Sequence, residues 1–494
     1  MRESGILLPI TSLPSAYGIG CLDRAACEFI DQLQAAGQKV WQILPIGPTG
    51  YGDSPYQSFS TFAGNPYFIS LEALIEAGWL TEEECEEALG GGDRRYVDYG
   101  RLYHRRLPLL KKAYGRSRIK EDPGFAAFCR ENLWLQDYAL FMAIKDAHGG
   151  AAWDSWEEEL RMRKPEALRA AEVKYAEDVT YYCFLQYLFY SQMDALLDYA
   201  HTKGVRILGD IPIYVSFDSA DTWANPELFM LNERKVPLAV AGCPPDAFAA
   251  DGQLWGNPLY RWEYHAQTGY EWWIRRVRQC FRTCDILRID HFRGFDEYYS
   301  IPYGDVNARR GHWEKGPGIA LFRAIKAELG EDIQVVAEDL GYVTDSVRQM
   351  VCDSGFPGMK LFQFAFDSRD TGSAADYLPH NYTENAVAYT GTHDNATLLA
   401  WMDEILPEEL EMVRAYICCQ GGKNDLIWPE ICTVLRSVSR LAVIPMQDYL
   451  GYGNEARMNK PSTQGGNWQW RLLPGEFTRE LQEKIKKAVT LYGR

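Results

Sequence analysis

The chain lacks any apolar run near the roughly 18 residues that a membrane span needs. Its opening MRESGILLPITSLPS holds an apolar run of five residues ending at Ile10, short of the roughly 7–15 of a signal-peptide core. Folded residues are therefore expected to begin at once, with no membrane partner. A basic excess is also lacking. The 51 Lys and Arg against 68 Asp and Glu leave a net charge of −17, which argues against a nucleic-acid backbone as partner. The 12 cysteines contain no C-x-x-C pair. Cys418 and Cys419 are adjacent, and Cys280 and Cys284 share a helix face, so no zinc framework is visible. The cysteines read as the reduced thiols of a cytoplasmic protein, with neither metal nor cofactor expected. Internal repeats and low-complexity segments are missing, and nothing fixes an oligomeric state.

What is present in excess is aromatic. The 15 Trp and 30 Tyr offer flat apolar faces with polar handles, which suit the C–H faces of sugar rings. Apolar runs of strand length recur in order: GILLPI (5–10), KVWQILPI (39–46), VRILGDIPIYV (205–215), ILRIDHF (286–292), QVVAEDL (334–340), GMKLFQF (358–364), NAVAYTGTHD (385–394) and LAVIPMQDYL (441–450). Helical spacing at 22–36, with Gly37 as a stop, joins the first two. That makes a right-handed βα unit. Eight such runs alternating with helices predict an α/β chain, a closed (β/α)8 TIM barrel over 1–494. The open doubly wound alternative wants a Gly-rich phosphate turn after the first strand, and TSLPSAYGIG is a poor match. A loop and then mostly helical pattern at about 47–200 reads as an insertion between strands two and three. A second insertion, about 216–284, lies between strands three and four.

In such barrels chemistry gathers at the carboxyl ends of the strands. Those ends carry Asp210, Asp290, Glu338 and Asp394. Residues two apart on a strand share a face, so Arg288 lies beside Asp290, and its guanidinium is expected to hold that carboxylate ionised well below neutral pH. Glu338 follows the apolar QVVA, where burial and the Asp290 charge are expected to raise its pKa. Asp290 and Glu338 fall on consecutive strands, about 4.8 Å apart, which fits the roughly 5–5.5 Å carboxyl separation of retaining glycosyl transfer. One carboxylate attacks the anomeric carbon while the other protonates the leaving oxygen. Each acid taken alone could equally be a helix cap or an ion-pair partner.

GDIPIYV (209–215), RIDHFRG (288–294), AEDLG (337–341) and GTHDN (391–395) resemble, in order, the four short regions of the α-amylase clan. YGDSPYQS (51–58), PPDAFAADGQLWGNPLY (244–260) and NWQWR (467–471) narrow the resemblance to the amylomaltases, which are 4-α-glucanotransferases. The resemblance spans essentially the whole chain and implies no C-terminal β-domain. It implies Asp290 as nucleophile, Glu338 as acid/base and Asp394 as transition-state stabiliser, with malto-oligosaccharides and α-1,4-glucans as partners. It further implies substrate-binding roles for Arg288, His393, His291, Asp246, Trp255 and Asn257. Asp210 is placed there too, or as an ion-pair partner of Arg288. The stretch 244–260, with aromatic Phe248, Trp255 and Tyr260, is expected to arch over the site as a lid that holds the acceptor and excludes water. Tyr51 is expected on a remote platform for long glucans. An α-glucan hydrolase and a non-catalytic glucan-binding barrel remain as alternatives.

Overall fold

Alternation along the apolar runs decides the architecture. A computed structural model describes residues 2–50, 52–245, 251–341, 343–368, 374–463 and 465–494. Among them run twelve strands: β1 (Glu3–Leu7), β2 (Val40–Gln42), β3 (Arg206–Ile211), β4 (Ala239–Cys243), β5 (Gln253–Pro258), β6 (Ile286–Ile289), β7 (Glu297–Pro302), β8 (His312–Lys315), β9 (Val335–Ala337), β10 (Gly358–Leu361), β11 (Ala386–Tyr389) and β12 (Leu441–Pro445). Eight of them form one parallel sheet in the order β10-β11-β12-β1-β2-β3-β6-β9, and these are the eight apolar runs of the sequence. Seven of them carry side chains to two apolar environments, and β10 carries its apolar side chains inward. Leu7, Val40, Leu208, Ile286, Val336, Met359, Val387 and Val443 form the inner core. Ile6, Trp41, Ile207, Leu287, Val335, Ala388 and Ala442 pack outward against helices. Burial on both faces is why these strands read as continuous apolar runs.

The ring closes between β9 and β10. Ala337 N–H donates to Pro357 O at 2.9 Å, and Met359 N–H donates to the Asp339 carboxylate at 2.7 Å. The fold is thus the expected (β/α)8 barrel. The first crossover helix is Arg24–Ala35, capped where the Asp23 side chain accepts from Ala25 N–H. It stops at Gly37, whose φ of 72° suits glycine.

The sequence reading missed a second sheet. β5, β4, β7 and β8 pair antiparallel in that order. β4 and β5 stand where a polar excursion and a lid loop were expected, and β7 and β8 are an insertion after β6 that was not foreseen. Six residues of the expected lid, Gln253–Pro258, are therefore a strand. Its rim is pinned to the barrel: Asn257 Nδ2 donates to Val215 O and Tyr260 Oη to Ile213 O, both at 2.8 Å.

Helices dominate 71–200, ending in the long helix Ala176–Thr202. Among the described residues no helix is long and apolar enough to cross a membrane. That long helix clamps the loop after β2. Gln186 accepts from Gly64 N–H at 2.7 Å and donates to Gly64 O at 2.9 Å. A Cβ at Gly64 would lie 2.0 Å from the Phe189 ring. Gly64→Ala is expected to lower stability by about 1–3 kcal/mol through overpacking, read as a lower urea midpoint.

Candidate active site

Parallel register builds the site from the inner faces of β3, β6 and β9. Asp210 pairs with Arg288 and Ile289 with Ala337, so Asp290 and Glu338 follow as the next cross-strand neighbours. Arg288 Nη1 lies 2.8 and 2.6 Å from the two oxygens of Asp210, while Nη2 donates to Asp290 Oδ1 at 3.0 Å. Arg288 and Asp210 are buried, at 3% and 0% side-chain exposure. Asp290 keeps 27% open to the cleft. Asp210 is thus the ion-pair partner. Its expected role in touching sugar is not what the geometry gives, because every face of its carboxylate is covered.

The division of Arg288 corrects a second expectation. Its shortest bonds go to Asp210, so its hold on Asp290 is outweighed. Burial pushes the Asp290 carboxyl well up, and Glu338, Asp210 and Asp394 push it further, against the pull of Arg288. Burial also raises Glu338, as expected, against Arg288 and two backbone N–H groups. Those donors are His291 N at 2.6 Å from Oε2 and Leu340 N at 3.0 Å from Oε1. Burial thus works on both carboxyls in the same direction, and what distinguishes them is their donors, Arg288 on Asp290 and two backbone N–H groups on Glu338.

Asp394 stands across the mouth on the loop after β11. Asn459 Nδ2 donates to its Oδ1 at 2.6 Å, Asn459 N–H donates to His393 O at 3.1 Å, and Arg457 Nη2 reaches Asp394 O at 3.3 Å. His393 Nε2 lies 2.8 Å from Tyr56 Oη and 3.4 Å from Asp394 Oδ2. The Tyr56 hydroxyl also donates to Asp210 at 2.8 Å. A phenol has one proton, and Asp210 takes it, so Tyr56 accepts from His393. Burial lowers the His393 pKa, which makes the ring neutral with its proton on Nε2. Tyr56 stacks on His393 with centroids 5.3 Å apart, and Trp468 packs against both rings at 5.9 Å. Tyr56, Asn459 and Arg457 were not singled out in the sequence. Tyr56 lies inside the quoted YGDSPYQS, and Trp468 inside NWQWR. Nothing in RMNKP marks Asn459.

Of the remaining candidates, Trp255 sits half-buried on β5, edge-on to His291 at 4.9 Å. The His291 ring packs against it half-buried, and burial drops its pKa to about 3. Asn257 is spent on anchoring: it donates to Val215 O and accepts from Gln57 Nε2 at 3.2 Å. That engagement corrects its assignment to sugar binding. Tyr51, Asp246 and Phe248 lie outside the described residues.

The family model described as 4-alpha-glucanotransferase matches residues 8–476. The chain belongs to that family. It is 48% identical over 490 residues to the 4-alpha-glucanotransferase of Clostridium butyricum, covering 98% of this chain and 99% of the relative. It is 47% identical over 496 residues to the Thermus thermophilus 4-alpha-glucanotransferase, covering 98% and 97%. Its fold matches an amylomaltase from Streptococcus agalactiae in complex with acarbose, with a TM-score of 0.96, 40% identity and full coverage of both chains. The family transfers glucan segments through a glycosyl-enzyme intermediate, so the hydrolase and binding-only alternatives fall away.

Arg288→Met is expected to cost about 3–5 kcal/mol, because it strands the buried Asp210 charge. In the folded fraction the acidic limb of kcat should move to higher pH. Arg288 lowers the Asp290 pKa, and the group that attacks must be ionised. Denaturant unfolding and a pH profile read the two effects.

Proposed function

We propose that the cleft performs retaining disproportionation of α-1,4-glucans, with malto-oligosaccharides as donors and a glucan or glucose as acceptor. The observation that carries this reading is the pairing of Asp290 and Glu338 on adjacent strand ends above a buried guanidinium. Glu338 passes its proton to the glycosidic oxygen as an Asp290 oxygen bonds to the anomeric carbon. The bond to the leaving glucan breaks and Glu338 is left ionised. An acceptor hydroxyl then gives its proton to Glu338 and displaces Asp290, so that both carboxyls return to their starting state. Asp394, steadied by Asn459, faces the ring that flattens between these steps. Trp255 on β5 supplies an apolar face for the acceptor, and the sheet behind it excludes water, which favours transfer over hydrolysis. The amylomaltase of the same fold in complex with acarbose supports a cleft shaped for such ligands.

Maltotriose alone should yield glucose together with longer oligosaccharides, with total reducing ends nearly constant. Reducing ends rising one for one with bonds cut would refute transfer. Asp290→Asn should remove the covalent intermediate and reduce kcat by at least about 10³-fold. Glu338→Gln should lose about 10²–10⁴-fold on maltotriose and far less on maltosyl fluoride, whose leaving group needs no proton. Equal losses on both would remove Glu338 from the acid role.

A further inference from the structure

His291 follows the attacking carboxylate, and its backbone is left-handed, with φ 51° and ψ 48°. That region is disfavoured for any residue with a Cβ, so the surroundings must enforce it. Three contacts do so. Trp255 of β5 meets the imidazole edge-on at 4.9 Å and 88°. Gly294 makes room for the ring, since a Cβ there would fall 3.1 Å from His291 Cδ2. Phe292 N–H donates to Glu338 O at 3.0 Å, which ties the next residue to β9. With Asp290 N–H bonded to Ile211 O before it and Phe292 tied to Glu338 after it, the left-handed turn is the conformation in which the His291 N–H lies 2.6 Å from Glu338 Oε2.

We infer that His291 is a positioning residue that acts through its main chain: the lid strand, by way of Trp255, holds His291 left-handed and so holds the N–H that receives the charge left on Glu338. The inference rests on the reading of Glu338 as the acid/base. As its proton departs, Glu338 gains a negative charge in a place with little water. A donor already aimed at that oxygen lowers the barrier without having to reorient. The same donor opposes the burial that raises Glu338. The other charges facing Glu338 are Arg288 and Asp290 from β6 and Asp339 beside it on the chain. An acceptor sugar resting on Trp255 presses on the ring that fixes this donor, so acceptor occupancy and proton transfer are linked by a chain of three residues.

Four variants test the link. His291→Gly and His291→Asn remove the ring but tolerate the left-handed turn. His291→Val disfavours that turn and pulls the N–H away. The general acid must be protonated, so the alkaline limb of kcat/KM reports its ionisation. Losing a bond to the anion makes the proton harder to remove. The limb should therefore move to higher pH in His291→Val, with at least about a tenfold loss on maltotriose and little loss on maltosyl fluoride. In His291→Gly and His291→Asn the limb should move less than in His291→Val, while the KM for added glucose acceptor rises. Trp255→Ala, which does not touch Glu338, should move the limb in the same direction when hydrolysis of a chromogenic maltoside is followed without acceptor, and it serves alone where His291→Val does not fold. A limb unmoved in Trp255→Ala, or equal losses of His291→Val on both substrates, overturns the link. The comparison of Glu338→Gln on the same two substrates fails or holds independently, so the two readings are separable.

Discussion

The ion pair between Arg288 and Asp210 is the constraint around which the site is arranged. It sits in the barrel interior, one layer beneath the strand tips, in contact with the apolar inner core. Two desolvated charges are tolerable there because Asp210 receives both close contacts of Nη1 and the Tyr56 hydroxyl as well. Removing either partner would leave a buried charge unmatched. Their mutual hold fixes the roots of β3 and β6 side by side. That in turn fixes where Asp290 emerges and where the Tyr56 and His393 rings stack.

From that pair the chemistry follows by register. β6 lies between β3 and β9, so the Arg288 guanidinium reaches one carboxylate across to β3 and another two residues along its own strand. The tuning of Asp290 and Glu338 is the outcome of a competition. Burial and like charges favour the neutral forms, while one guanidinium and two backbone donors favour the ionised ones. The antiparallel sheet β5-β4-β7-β8 adds a wall with aromatic lining over this competition. The segment 454–463 adds the opposite wall by holding Asp394 and His393 through Asn459.

The sequence disclosed the barrel because its strands are buried on both faces and end in acids. Ile286, Leu287 and Ile289 with Arg288 and Asp290 are legible from alternation alone. The antiparallel sheet stayed hidden for equally physical reasons. AVAGC is short and small, QLWGNP carries Gly and Pro, and HWEK is mostly exposed, so none of them offers the apolar run or clean alternation that marks a strand. The contacts of Tyr56 with His393 and of Asn459 with Asp394 bridge 337 and 65 residues of chain. No local pattern encodes such pairs, and the direction of the Asp290 shift follows from a burial that only the closed barrel creates. Asn257 was expected in a lid loop; it lies on β5, with its amide bonded to Val215 O and to Gln57.

The seam between β9 and β10 is thinner than the other joints of the ring, held by a main-chain bond and the Asp339 carboxylate. β6 is fully laddered on both flanks. The thin joint falls on the far side of β9, while Glu338 itself stays bonded to the β6 side, its N–H donating to Ile289 O and its carbonyl accepting from Phe292 N–H. Nucleophile and proton carrier therefore share one mount, and strain at the seam reaches neither without first crossing that ladder.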